Sequence, residues 1–92
     1  MLVQAIFTIH PENKEKAKEE LQKAKAVIQM HGGRNLKYYA SMTSGTPNRM
    51  FTYEIDKFAH FDALNTDKDY QAIKLDYLYS EAVVTIWGEV AI

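Results

Sequence analysis

Proton transfer near neutral pH is histidine chemistry, and two of the three histidines in this 92-residue chain stand where it would be useful. His10 closes an alternating stretch just before Pro11, and strand ends and their loops are where binding groups gather. His60 lies one residue before Phe61 in an amphipathic segment, about 100° around a helix from that apolar face. Each has a plainer reading. His10 also reads as a solvent-facing residue ahead of a proline, and His60 as a boundary residue on a helix flank. His31 falls at the end of a charged helix, where a cation meets the negative end of the helix dipole, and reads as structural.

Aromatic residues are the second resource: six tyrosines, four phenylalanines and one tryptophan. Ligand pockets are mostly apolar and aromatic with a few polar groups. Tyr39, Tyr53, Tyr70 and Trp87 are the candidates to line one, with His10 and His60 as catalytic groups beside it. Taken singly, a tyrosine is an ordinary strand residue with a polar tip. Glu54 and Glu89 form a further pair. Two carboxylates in a dry cleft push their pKa values apart and make an acid/base couple; otherwise they join a polar network with Lys37, Arg49 or Thr52.

Several chemistries are excluded. No cysteine is present, so there is no disulfide, thiolate nucleophile or Cys-type zinc site. No His-x-His or His-x-x-x-His spacing offers a metal site. The "GGR" at 32–34 lacks the spacing and the Lys-Ser/Thr of a phosphate loop. Eleven basic residues against twelve acidic ones leave a net charge of −1. That is no basic stripe for nucleic acid. No apolar run nears the roughly 20 residues of a membrane span. The opening "MLVQAIFTIHPE" alternates and has no basic leader, so it reads as a strand and not a signal peptide. A cytoplasmic location is the expectation.

The elements that must position these residues follow from periodicity. Val3, Ala5, Phe7 and Ile9 alternate with Gln4, Ile6, Thr8 and His10, which predicts a strand. Pro11 stops the ladder and suits a first helical turn. Ala17, Leu21, Ala24 and Ile28 then form one helical stripe over about 12–30, ending at "HGG", where glycine takes the left-handed cap. Strands at 35–42 and 49–55 flank the turn "TSGTPN" and suggest an antiparallel hairpin. Asp56 is placed to cap a helix bearing Phe58, Phe61 and Leu64, and Asp67 a second piece bearing Tyr70, Ile73 and Tyr77. A last strand is expected over 82–92, with Val84, Ile86, Val90 and Ile92 on its apolar face. The order β-α-β-β-α-β predicts one α+β domain over 1–92, a ferredoxin-like split βαβ unit with both helical regions on one face of an antiparallel sheet.

The other face of that sheet is mixed: Ile6, Met50, Val83 and Trp87 beside Gln4, Thr52, Thr85, Glu54 and Glu89. The parity of the second strand is open, because Tyr38 and Tyr39 are both large. So much apolar surface on a face without helices calls for a cover, most simply a second copy about a two-fold axis.

The stretch "NRMFTYEIDKFAHFDALNTDKDYQAI" resembles the third strand and second helix of the dimeric α/β-barrel superfamily, close to its NIPSNAP, EthD and antibiotic-biosynthesis-monooxygenase groups. A strand ends in an acidic step, a helix with aromatic anchors follows, and then an acidic piece, here "DKDY" at 67–70. The resemblance implies a homodimer formed sheet to sheet. It implies a pocket for a small apolar or aromatic molecule between sheet and helices, or at the barrel mouth. It also implies monooxygenase- or isomerase-like chemistry without cofactor or metal. Haem-degrading relatives use an Asn, a Trp and a His together. Here the first strand has no Asn and Trp87 lies in the last strand, so that set is not carried over. The alternative class is a non-catalytic dimerisation or small-ligand-sensing module. RNA recognition shares the topology, but "RMFTYEI" lacks the basic, stacking strand it needs.

Overall fold

The structure, a computed structural model, describes residues 1–73 and 79–92, apart from the side chains of 79–81. Strands β1 (Leu2–Ile9), β2 (Arg34–Ala40), β3 (Arg49–Glu54) and β4 (Tyr79–Trp87) form one sheet in the order β2-β3-β1-β4. β1 runs antiparallel to both its neighbours, and β2 is antiparallel to β3. A 3-10 turn (Pro11–Asn13) leads into α1 (Lys14–Met30). Helices α2 (Phe58–Thr66) and α3 (Lys68–Gln71) follow β3.

The alternation read from the sequence becomes the core. Val3, Phe7 and Ile9 of β1 are buried with Phe51, Tyr53 and Ile55 of β3. They meet Ala17, Ala24 and Ile28 of α1 and Leu64 of α2. Small residues on the α1 stripe let the helix lie close over the strands, while the Lys and Glu of its outer face remain in water. Lys23 and Glu20 pair there at 3.1 Å; exposed pairs of this kind contribute well under about 1 kcal/mol.

The end of α1 is tightly specified. Gly32 takes φ +86°, which an L side chain adopts only with strain. Its amide donates to the Gln29 carbonyl at 3.2 Å, and the Gly33 amide donates to Ile28 at 2.9 Å. Those two bonds are the Schellman closure of a helix.

Register settles the second strand. Tyr38 lies opposite Phe51 and Tyr39 opposite Met50. Tyr38 therefore belongs to the helix face, where it stacks on Phe7 with ring centres 6.4 Å apart. Tyr39 belongs to the open face.

Three expectations change. Asp56 does not cap α2; Lys57 holds the N-cap position without a side-chain bond, and Asp56 instead pairs with Arg34 at 2.6 Å. β4 starts earlier than expected and stops at Trp87. Trp87 is opposite Leu2, the first residue of β1, so residues 88–92 have no rung to bond to. Val90 and Ile92 are consequently exposed, and Glu89 lies outside the strand that was to set it beside Glu54. Glu54 instead accepts from the Asn35 side-chain amide. Tyr77, expected in the second helical piece, falls outside the described residues.

Candidate functional site

The space between sheet and helices is not completely filled. A cavity of about 310 Å³ remains. Its floor is Val3, Ala5 and Phe7 of β1 with Phe51 and Tyr53 of β3, and α1 covers it with Leu21, Ala24 and Ile28. The cause is legible in these residues. Ala5 and Ala24 are too short to meet across the gap that longer neighbours hold open. Phe61 and Asn65 of α2 and Tyr70 of α3 close a further side. Val84 of β4 lines it too and is still 53% exposed.

Ten of the thirteen lining residues described are apolar, and Tyr53, Tyr70 and Asn65 supply the polar groups. None of the thirteen carries a charge at neutral pH. Burial pushes the Tyr53 hydroxyl far above its ordinary value, with the neighbouring Tyr70 adding to the rise. Burial raises Tyr70 as well. Both phenols therefore stay protonated across the physiological range, as donors and not bases. The cavity offers a ligand apolar walls and two tyrosine hydroxyls, with Asn65 at its rim.

Tyr70 is held by a short helix whose start is over-determined. One Asp67 carboxylate oxygen accepts the Asp69 amide at 2.8 Å and the Tyr70 amide at 3.3 Å. The other lies 2.7 Å from His31 Nε2, at the end of α1. Asp67 thus caps α3, as its sequence position predicts, and also ties α3 to α1. The His31 contact holds the Asp67 carboxyl below its ordinary pKa, helped by the two amides. Only His31's proximity to a helix end was readable beforehand, because its partner is 36 residues away.

The candidate residues separate into two groups. Tyr53 and Tyr70 come together at the cavity. Tyr39 and Trp87 lie on the open sheet face, Tyr39 in a second hollow of about 240 Å³ with Ile6 and Met50. Trp87 Nε1 donates to Gln4 Oε1 at 2.9 Å, and Gln4 Nε2 donates to Met50 Sδ at 3.2 Å. Neither histidine candidate is among the described lining residues. His10 is exposed before the 3-10 turn. His60 rests on Gly32, where an added Cβ would sit 3.1 Å from its Nδ1. That nitrogen is buried without a hydrogen-bond partner among the described residues, so the neutral ring carries its hydrogen best on Nε2. Asn65, exposed at the rim of the cavity, was missed, because a polar residue amid "NTDKD" reads as an ordinary helix end. Among the described residues no group of three or more metal-ligating side chains converges.

No protein-family model matches the chain, and no curated protein matches its sequence. Solved structures do match. A DABB family protein with a ferredoxin-like fold from Mesorhizobium loti superposes with a TM-score of 0.78 at 14% identity, covering 98% of this chain and 96% of that one. The fold is ferredoxin-like. A putative antibiotic biosynthesis monooxygenase from Nitrosomonas europaea matches with TM-score 0.73 and 15% identity over 99% and 100% of the two chains. A dimeric ferredoxin-like protein of unknown function from Thermobifida fusca matches with TM-score 0.69 and 17% identity over 91% and 85%. At such identities the likeness speaks for the ferredoxin-like fold, in keeping with the superfamily resemblance of the 48–73 stretch. No helix among the described residues is long and apolar enough to cross a membrane.

Proposed function

We propose that this chain binds a small apolar or aromatic molecule in the cavity between sheet and helices, as a homodimer packed through its open sheet face. The observation that carries the reading is the cavity itself. Its volume, about 310 Å³, is in the range of ligand pockets, roughly 300–1,000 Å³. Its walls bear hydrogen-bond donors but no charge. The test is calorimetric titration with 1-naphthaleneacetamide, with native mass spectrometry of the purified protein to catch a retained ligand. Ala5→Leu, which fills the floor, should weaken the amide at least about tenfold, the order expected for a blocked apolar contact. Unchanged affinity in that variant, or no binding by the wild type, would count against the cavity.

The dimer is supported by the open face. Leu2, Tyr39, Val83 and Trp87 are each between 41% and 59% exposed there, and one structural neighbour is described as dimeric. Cover by a second copy removes that apolar surface from water. A cytoplasmic location accords with the absence of cysteine.

Likeness to the putative monooxygenase favours a second reading, in which the bound molecule is also transformed without cofactor or metal. Tyr53 and Tyr70 are the groups in place for it. As neutral phenols they can stabilise negative charge developing on a ligand oxygen. His10 and His60, the original candidates for proton transfer, would need to approach the cavity. Product formation lost in Tyr53→Phe with binding retained would support catalysis; binding with no turnover would leave a sensing or carrier role.

A further inference from the structure

Of the chain's two arginines, Arg49 is the one without a carboxylate partner among the described residues. Arg34 has Asp56 as its partner. Arg49 is half-buried, and a partly desolvated guanidinium is well served by a carboxylate partner. None pairs with it among the described residues. Its Nη1 donates to its neighbour's carbonyl, Asn48 O, at 2.9 Å, and its charge and a hydrogen bond to the Tyr38 hydroxyl oppose the rise that burial gives that phenol. A guanidinium has five N–H donors. None of its nitrogens is both fully buried and unpaired, so the unused donors reach solvent.

Place matters as much as lack of a partner. Arg49 is opposite Phe7 across the β1–β3 ladder, two residues before Phe51 on the same strand face. Phe7 and Phe51 both line the cavity, and Tyr38 packs against both rings at 6.4 Å. Residues two apart on a strand are roughly 7 Å apart. The positive charge is therefore one side chain beyond an uncharged cavity, on the same face of the sheet.

We propose that Arg49, with Tyr38 beside it, receives the carboxylate of an amphipathic ligand whose apolar body fills the cavity. Resting on the cavity reading above, this narrows the ligand to an organic acid, with a ring system or chain long enough to span that distance. The planar fork suits two carboxylate oxygens at once, and the Tyr38 hydroxyl can donate to one of them.

The test is a matched pair, 1-naphthaleneacetic acid and 1-naphthaleneacetamide, titrated calorimetrically into the wild-type protein and Arg49→Gln at pH 7.5 in low salt. The acid is expected to bind about tenfold tighter than the amide, the order of a charge-assisted pair. That preference should shrink with added salt and vanish in Arg49→Gln, with amide affinity unchanged. Equal wild-type affinities would overturn the proposal and leave the cavity reading intact. Loss of both ligands in a folded Arg49→Gln would also overturn it, since the residue would then only support the wall. Failure of both ligands to bind wild type would remove the cavity reading and this proposal together. If Arg49→Gln does not fold, the wild-type acid-to-amide ratio and its salt dependence decide.

Discussion

Gly33→Ala should damage both the fold and the cavity. A Cβ at Gly33 would lie 2.3 Å from Ile28 Cγ2 and 2.9 Å from the Ile28 carbonyl oxygen. Carbon atoms in contact prefer about 3.5–4.0 Å, so the Ile28 methyl must retreat by more than 1 Å. Ile28 is only 3% exposed, and a β-branched side chain in a helix has essentially one good rotamer. Overpacking of this kind costs about 1–3 kcal/mol. The same carbonyl accepts the Gly33 amide, and weakening that bond adds about 1 kcal/mol. The sum is about 2–4 kcal/mol out of a total stability of roughly 5–15, or a fall in Tm of about 8–30 °C for a domain this size. Ile28 also lines the cavity, so the displaced side chain should cost ligand affinity in protein that remains folded. Urea unfolding followed by circular dichroism reads the stability, and titration with the naphthalene amide reads the cavity. Gly88→Ala is the control, because nothing lies within 4 Å of a Cβ there, and it should stay within about 0.5 kcal/mol of wild type. A Gly33→Ala protein as stable as that control would refute the close approach of the α1–β2 turn to Ile28.

Acid should expose the Asp67 contact. The carboxyl is held below its ordinary 3.8, so its stabilising effect is complete above that value and is lost as pH falls through the lower folded value; urea midpoints of wild type and Asp67→Asn should converge there. If the gap between them persists unchanged in strong acid, the His31 contact is not its source. Alkali works in the opposite direction on Tyr53 and Tyr70, whose folded pKa values are raised. Stability should decline as pH rises above 10, where the unfolded chain ionises first, and tyrosinate absorbance should show these phenols titrating after the others. A single tyrosine transition near 10 in the folded protein would show that they are not buried. The only tryptophan, Trp87, is 54% exposed on the open face. Its emission should shift to the red when a dimer is diluted, and Thr85→Lys, beside it on that face, should produce a monomer by native mass spectrometry. Emission and mass that ignore both perturbations would separate this face from dimerisation.

The sequence by itself determined the order of elements and which side chains go inward. Val3, Phe7, Ile9, Phe51, Tyr53 and Ile55 alternate at the strand period, and Ala17, Ala24 and Ile28 recur at the helical one; such periods depend only on local geometry. The Asp67 cap and the glycine stop of α1 were legible for the same reason, since each lies within a few residues of what it satisfies. The tertiary structure decided whatever depended on distant partners. Register, not composition, sent Tyr38 to the helices and Tyr39 to the open face. The length of β1 ended β4 at Trp87 and removed Glu89 from Glu54. The approach of α3 to α1 turned His31 from a helix-end charge into the partner of Asp67. Above all, Tyr53, Asn65 and Tyr70 reach one cavity from a strand and two helices, and Arg49 falls opposite Phe7, a residue of the cavity floor, because β3 pairs with β1 in one register. Each of these is a contact between segments far apart in the chain, and no local period encodes it.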